Sequence, residues 1–167
     1  AEEADRSCRI HSRPAYFYRT IFDAGVNMLR NTTAMFSAVV GGVDTYENEP
    51  YDETVRKGDE FSRRIARNAH IILQEEFGML RPIDPAGGSW ALEHLTKEMA
   101  EKIWKEFQKI ESMGGFTKAL EAEYPQEQIL DILKQRFKAL DFRKDRAVGN
   151  NMYPNMAEEL IEPRPED

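Results

Sequence analysis

Residues 41–47, Gly41-Gly42-Val43-Asp44-Thr45-Tyr46-Glu47, mark the point at which a long helix gives way to a short strand. Glycine tolerates the left-handed conformation that ends many helices, so the glycine pair predicts a helix end and Val43–Glu47 a strand. Upstream, apolar residues recur every three or four positions and predict one helix over Tyr18–Val39. Before that helix, Arg9–Arg13 has the length of a short strand or loop and is followed by a proline. The order strand, helix, strand indicates the α/β class.

The rest of the chain is predicted to be mainly helical. After a turn-rich stretch over Asn48–Asp59, a second helix runs from about Asp59, its expected N-cap, to Glu76. Its predicted apolar face consists of Phe61, Ile65, Ala69, Ile72 and Leu73. A loop over Arg81–Ser89 contains two prolines and a glycine pair.

Three more helices are predicted beyond that loop. The first carries apolar residues at helical spacing until the glycine pair at 114–115, and a short helix follows to about Glu123. Pro125 opens the last helix, whose predicted inward residues are Ile129, Ile132, Leu133 and Phe137. Two strands alone make a poor sheet, so we expect a helix-dominated chain that is incomplete by itself. We divide it into a domain over residues 1–153 and an acidic, proline-containing tail over 154–167.

Composition narrows the class of protein. The chain of 167 residues has a net charge of −7, which argues against a general nucleic-acid surface because such a surface needs clustered cations. A single cysteine, Cys8, excludes an internal disulfide and favours a reducing compartment. No apolar run approaches the ~18 residues of a membrane span, and no signal peptide is visible. These features predict a cytoplasmic protein with no membrane partner and no nucleic-acid partner.

Side chains that bear chemistry are few when each is judged alone. The histidines, at 11, 70 and 94, lie on different predicted elements without a shared ligand spacing, so no metal site is predicted. His11 is either a residue at the end of a barrel strand, where it would point toward the mouth of the active site, or an ordinary loop histidine. Asp52-Glu53 is either an acid–base pair or an acidic helix entry, and the arginines at 63, 64 and 67 form either a phosphate site or a solvated face.

Four ordered motifs carry a family resemblance. Ser62–Asn68 reads SRRIARN and is followed by a QEE at 74–76, Asp84–Trp90 reads DPAGGSW, Ile110–Phe116 reads IESMGGF, and Val148–Tyr153 reads VGNNMY. Together they resemble the methylmalonyl-CoA mutase family over about residues 9–153. Asn27–Arg30 is similar to that family's N-x-x-R helix.

The resemblance implies a helix-rich, carboxyl-terminal portion of a (β/α)8 TIM barrel, namely the last two β/α units plus a helical extension. In that family the barrel holds an acyl-CoA, and adenosylcobalamin lies between the barrel and a separate cobalamin domain. The cofactor supplies a radical for rearrangement of the carbon skeleton. The implied partners are the remaining barrel and a cobalamin-binding domain or subunit, which would also supply the cobalt ligand. The isolated chain is therefore expected to be inactive.

The resemblance also assigns site residues. His11 matches the histidine of the family's R-T-H-S segment and is implied to contact substrate, and Glu53 matches a glutamate that hydrogen-bonds the adenosyl ribose. Arg13 stands where the family commonly has glutamine, and Asp44 replaces a glutamine near the substrate, so both are predicted substrate contacts. Phe17 occupies the position of a family tryptophan and is predicted to contact the cofactor. No catalytic residue is assigned within the chain.

Two hypotheses about function remain open on these grounds. The chain is either one piece of a coenzyme-B12-dependent isomerase or a non-catalytic interaction module derived from the mutase barrel. His11 and Glu53 favour the enzyme, because an interaction module has no need of them. The departures at Arg13 and Asp44 leave the substrate open between methylmalonyl-CoA and a related acyl-CoA, such as an alkyl- or benzylsuccinyl-CoA.

Overall fold

The computed structural model of the chain describes residues 8–164. Within them, strand β1 (His11–Ser12) and strand β2 (Thr45–Tyr46) form a parallel pair, with His11 opposite Thr45 and Ser12 opposite Tyr46. Helix α1 (Asn27–Val40) connects the two strands. The predicted α/β order of strand, helix and strand is confirmed.

The first helix begins later than the sequence predicts. Two short 3-10 turns, Tyr16–Tyr18 and Ala24–Val26, precede α1, so the prediction of a helix from Tyr18 is wrong in its amino-terminal part. The cause is the Asn27 side chain, which accepts a hydrogen bond from the Thr20 N–H at 3.2 Å and donates to the Thr20 carbonyl at 2.8 Å. Those backbone groups are thereby satisfied outside a helix. At the other end, Gly42 adopts a φ of 80°, as the predicted glycine stop requires.

Helix α2 (Glu60–Ile71) confirms the predicted N-cap. Asp59 accepts from the Ser62 N–H at 2.8 Å, and the Ser62 hydroxyl accepts from the Asp59 N–H at 2.9 Å, which is a reciprocal capping box. The helix continues as a π-helical turn over Ile72–Glu76. Its buried positions are Ser62, Ala66, Ala69 and Leu73, so the predicted inward orientation of Phe61, which is 59% exposed, is wrong.

The hydrophobic core of this part lies between the two helices and the sheet. Met35 of α1 packs against Ala69 and Leu73, and Val39, Tyr46 and Met79 cover that cluster. Tyr46 therefore points toward the helices. Since successive strand residues project to opposite faces, Thr45 points away from them.

A second compact unit spans residues 86–146. It contains helices α3 (Trp90–Ser112), α4 (Phe116–Glu121) and α5 (Tyr124–Asp141), and Pro125 lies in the first turn of α5 as predicted. The predicted inward face of α5 is wrong, because Ile129, Ile132 and Phe137 are 66%, 52% and 54% exposed.

Residues 147–164 belong to the same compact unit as residues 8–85. The Glu158 carboxylate accepts a hydrogen bond from the Asp23 N–H, and Arg164 forms an ion pair with Asp59 at 2.7 Å. Most of the predicted tail is thus in contact with the first unit, while residues 165–167 lie outside the described residues. The predicted division at residue 153 stays a prediction. Among residues 8–164, no helix has the length and apolarity to cross a bilayer.

Candidate functional site at the strand ends

Paired residues of the two strands bring three polar side chains together. His11 and Thr45 are direct partners in the parallel register, and the His11 Nδ1 lies 2.8 Å from the Thr45 Oγ1, a hydrogen-bond distance. The other ring nitrogen, Nε2, lies 3.9 Å from the Glu47 Oε2. His11 is an exposed side chain on the sheet face that looks away from α1 and α2. The histidine singled out from the sequence therefore has two partners from the neighbouring strand and its end.

Just beyond the strand ends, a buried carboxylate lies close to two arginines. Glu49 forms an ion pair with Arg19, whose side chain is fully buried, and its other oxygen lies 4.0 Å from the Arg13 guanidinium. The Arg19 guanidinium also lies over the Tyr16 ring, 4.1 Å from the ring centre. A buried charge is tolerated only when paired, so this contact ties the segment after β1 to the segment after β2. Arg13, a predicted substrate residue, is exposed at the edge of this cluster.

Two tyrosines border the buried ion pair. Burial raises the pKa of Tyr46 to about 12, with smaller contributions in the same direction from Tyr18 and the Glu49 carboxylate. Burial likewise raises the pKa of Tyr18 above its usual value. Both phenols are therefore neutral across the physiological range.

Glu53, the predicted adenosyl contact, lies in a turn rather than at a helix entry. One of its carboxylate oxygens, Oε2, accepts a hydrogen bond from the Gly58 N–H at 3.1 Å, and the side chain is half-buried. Its neighbour Asp52 is fully buried and bonds the Arg56 Nε at 2.8 Å. The two adjacent carboxylates thus have separate partners, and the reading of them as an acidic helix entry is wrong.

The other two predicted site residues lie apart from the strand ends. Asp44 precedes β2, and its carboxylate accepts a hydrogen bond from the Ile10 N–H at 2.7 Å, at the amino end of the sheet. Phe17 lies in the 3-10 turn after β1 with its ring half exposed. Contacts of His11 and of Glu53 involve different residues, namely Thr45 and Glu47 for the histidine and Gly58 for the glutamate.

The N-x-x-R motif holds the segments around this site. Asn27 is fully buried and donates to the Tyr51 carbonyl at 3.0 Å, and Arg30 donates to the Asn27 Oδ1 at 2.8 Å. Arg30 also bonds the Val148 carbonyl, which belongs to the VGNNMY motif. Asn31, one helical residue further, donates to the Glu49 carbonyl at 2.8 Å. Helix α1 therefore holds the backbone at Glu49 and, two residues further, at Tyr51.

Elsewhere, the described residues contain no metal-binding cluster of histidine, cysteine and carboxylate side chains. The arginines of α2 are exposed, and two of them, Arg63 and Arg67, line an open groove of about 340 Å³ together with His70. Burial lowers the pKa of His70, whose ring centre lies 6.1 Å from that of Tyr46. His94 is exposed on α3, 3.7 Å from Glu98.

Four residues of the strand-end site are missed by the sequence reasoning: Thr45, Glu47, Arg19 and Glu49. Thr45 and Glu47 stand at alternate positions of a predicted strand, which puts them on one face. Arg19 beside three aromatic residues, and Glu49 before a proline, gave a weaker signal. The pairing of β1 with β2 is what makes these four residues neighbours of His11 and Arg13.

Fold and site together define a helix-rich α/β chain with a polar site at the ends of two parallel strands joined by a helix. A family profile described as methylmalonyl-CoA mutase matches residues 1–167. The chain belongs to the methylmalonyl-CoA mutase family.

Similar proteins have related names. The chain is 38% identical over 148 residues to the methylmalonyl-CoA mutase small subunit of Porphyromonas gingivalis, which covers 89% of this chain and 24% of that protein. It is 39% identical over 159 residues to the probable methylmalonyl-CoA mutase small subunit of Mycobacterium tuberculosis. That alignment covers 92% of this chain and 26% of that protein. It is 41% identical over 136 residues to the methylmalonyl-CoA mutase of Cereibacter sphaeroides. That alignment covers 81% of this chain and 19% of that protein. The chain thus spans about a quarter or less of the length of these relatives.

Proposed function

We propose that this chain is part of an adenosylcobalamin-dependent acyl-CoA mutase, an isomerase that rearranges a carbon skeleton. In this proposal it contributes the last two β/α units of a (β/α)8 barrel and a helical extension. The observation that carries the proposal is the strand-end group of His11, Arg13 and Glu47, because barrel enzymes build their sites from residues at the carboxyl ends of parallel strands.

The orientation of the strand residues supports this role. Tyr46 packs against the helices, so His11 and Thr45 project to the opposite face, which in a closed barrel is the interior. Arg13 follows β1 directly and is exposed. A guanidinium there suits a substrate carboxylate, which it can bind with two parallel hydrogen bonds. We assign His11 and Arg13 to the acyl-CoA thioester and carboxylate respectively.

We propose Asp44 as a third substrate residue. Its carboxylate lies at the amino end of β2 and already accepts the Ile10 N–H at 2.7 Å. A group engaged in this way contributes first to holding the strands in register. The variant Asp44→Asn is therefore expected to affect stability before it affects substrate binding.

The residues present fit the adenosyl part of the cofactor. Glu53 engages one carboxylate oxygen with the Gly58 N–H, so its second oxygen is suited to accept from a ribose hydroxyl. Phe17 offers a half-exposed ring for stacking. When bound, adenosylcobalamin supplies the radical chemistry, while these two residues would orient its nucleoside. A cobalt ligand is expected from a separate cobalamin domain or subunit.

The remaining barrel and the cobalamin domain are the proposed partners, and the substrate is methylmalonyl-CoA or a related acyl-CoA. Isolated chain and co-expressed chain should be compared directly. One sample contains the chain alone, and the other contains the chain co-purified with the polypeptide encoded by its neighbouring reading frame. Each sample is incubated with adenosylcobalamin and each candidate acyl-CoA. Turnover is expected only in the co-purified complex, because the described strands do not close a barrel.

Variants test whether residues of this chain contribute to the activity of the complex. In the active complex, His11→Ala is expected to lower kcat/KM by about a hundredfold or more, and Glu53→Gln to raise the KM for adenosylcobalamin. His94→Ala, at an exposed histidine that also has a nearby glutamate, is the matched control and should leave both constants unchanged. Turnover by the isolated chain, or an active complex that is indifferent to His11→Ala, would contradict the proposal.

A further inference from the structure

We infer that Thr45 and Glu47 are positioning residues that hold His11 in a single tautomer, with the proton on Nε2 and that N–H directed away from the helices. The inference rests on the proposed function only for its consequence in catalysis. The positioning itself concerns contacts within this chain and can be measured without substrate or cofactor.

Thr45 fixes one side of the imidazole. It is the Cα partner of His11 in the parallel register, and its hydroxyl lies 2.8 Å from Nδ1. A β-branched side chain in a strand has a restricted χ1, so the hydroxyl cannot move away from the ring without leaving its rotamer. A hydroxyl can either donate or accept a hydrogen bond, so Thr45 alone fixes the direction of the ring but leaves the tautomer open.

Glu47 resolves the tautomer. Its carboxylate lies 3.9 Å from Nε2, and an ionised carboxylate only accepts hydrogen bonds. It therefore favours the form that carries the proton on Nε2. Nδ1 is then the acceptor, and the Thr45 hydroxyl donates to it. Both partners thus stabilise the same tautomer.

The distances leave the N–H available to a ligand. At 3.9 Å the contact between Nε2 and Glu47 is longer than a hydrogen bond, so it orients the N–H electrostatically without engaging it. A neutral imidazole N–H held in this direction can donate to a carbonyl oxygen on the face of the sheet that points away from the helices. In the proposed enzyme that carbonyl is the thioester of the acyl-CoA.

The tautomer of His11 can be read from two-bond proton–nitrogen correlation spectra of the ¹⁵N-labelled full chain at neutral pH. The wild-type chain is expected to show the Nε2–H form at His11. The isosteric variant Thr45→Val releases the ring from the orientation in which Nε2 faces Glu47, so the ratio of the Nε2–H to the Nδ1–H form should fall by up to about fivefold, the size of one exposed electrostatic contact. Thr45→Ser retains a hydroxyl and should restore the wild-type ratio, and Glu47→Gln, which removes the charge that favours the Nε2–H form, should lower it by a similar factor.

His94 is the internal control in the same spectra. It has a glutamate at 3.7 Å but belongs to a helix far from Thr45 in sequence, so its signals should not respond to Thr45→Val. The variant Thr33→Val, at an exposed threonine of α1, controls for the loss of a hydroxyl elsewhere and should leave His11 unchanged. A wild-type His11 in the Nδ1–H form, or a ratio that Thr45→Val does not alter, would overturn the inference.

Kinetics of the assembled enzyme separate this inference from the proposed function. If Thr45→Val shifts the tautomer and lowers kcat more than it raises KM, both are supported. If it shifts the tautomer and leaves kcat and KM unchanged, the positioning stands and the proposed role of His11 in the mutase fails. If the tautomer does not shift, the positioning fails whatever the kinetics.

Discussion

The guanidinium of Arg30 donates a hydrogen bond to the backbone carbonyl of Val148, 118 residues further along the chain. The same side chain bonds the Thr20 hydroxyl at 3.0 Å and the Asn27 Oδ1 at 2.8 Å. Two motifs that resemble the family, N-x-x-R and VGNNMY, are therefore in physical contact. The contact joins the segment that begins at residue 147 to the first compact unit, to which it belongs although residues 86–146 intervene in the sequence.

The variant Arg30→Lys tests this connection. Lysine keeps the charge but lacks the planar fork, so it cannot serve all three acceptors at once. The free energy of unfolding, measured by urea titration of the full chain, is expected to fall by about 2 kcal/mol. Arg64→Lys, at an exposed position of α2, should change it by less than ~0.5 kcal/mol. Equal effects of the two variants would show that the Arg30 contacts contribute no stability.

The variant Glu49→Gln removes the partner of a buried arginine. The Arg19 side chain is fully buried and Glu49 is 8% exposed, so the change leaves a charge without a counterion. The free energy of unfolding should fall by about 3 kcal/mol or more. Glu98→Gln disrupts an exposed contact with His94 and should cost less than ~0.5 kcal/mol. A small effect of Glu49→Gln would mean that water or backbone groups stabilise Arg19 in place of the carboxylate.

Tyr46 gives a pH dependence in the alkaline range. The pKa of its phenol is about 12 in the folded chain and 10.0 ordinarily, so between these values the unfolded chain binds fewer protons than the folded chain. The Tyr46 phenol therefore leaves the free energy of unfolding unaffected below pH 10.0. That free energy falls as the pH rises from 10.0 through the folded pKa of about 12.

Urea unfolding at pH values on both sides of 10.0 checks this sign. Tyr46→Phe should make the alkaline loss of stability shallower, because the group that titrates is gone. Tyr153→Phe, at a tyrosine that is 76% exposed, should leave the slope as in the wild type. A slope that is insensitive to Tyr46→Phe would show that the Tyr46 phenol ionises equally in the folded and unfolded chains.

Gly58 is a position with no room for a side chain. An added Cβ would lie 2.4 Å from Cγ of the Pro50 ring and 2.7 Å from its Cβ, and that rigid ring cannot rotate away. Gly58→Ala is expected to lower the free energy of unfolding by about 1–3 kcal/mol and to displace Glu53, which bonds the Gly58 N–H. Gly25→Ala, where nothing lies within 4 Å, is the matched control and should be neutral or stabilising by up to ~1 kcal/mol. Comparable losses from both variants would contradict the close contact.

Local signals in the sequence were sufficient for most elements. Asp59 and Ser62 satisfy each other's backbone groups within one turn, so the start of α2 could be predicted from a few residues. The start of α1 could not, because it depends on Asn27 bonding Thr20 and the Tyr51 carbonyl, which lies 24 residues away. The inward face of α5 was mispredicted for a related reason: periodicity shows which residues share a face, but not whether another element covers it.

The sequence by itself determined the family through its ordered motifs. It also determined the order of strand, helix and strand, the glycine stop after α1 and the start of α2, because each of these depends on short runs of residues with their own backbone preferences. Only the tertiary structure decided which side chains accompany His11. Thr45 and Glu47 become its partners through a parallel register set by hydrogen bonds between distant strands, and the buried pair of Arg19 and Glu49 forms because the segments after the two strands meet. Such contacts depend on which backbone groups pair across the fold, and no local pattern of residues encodes that pairing.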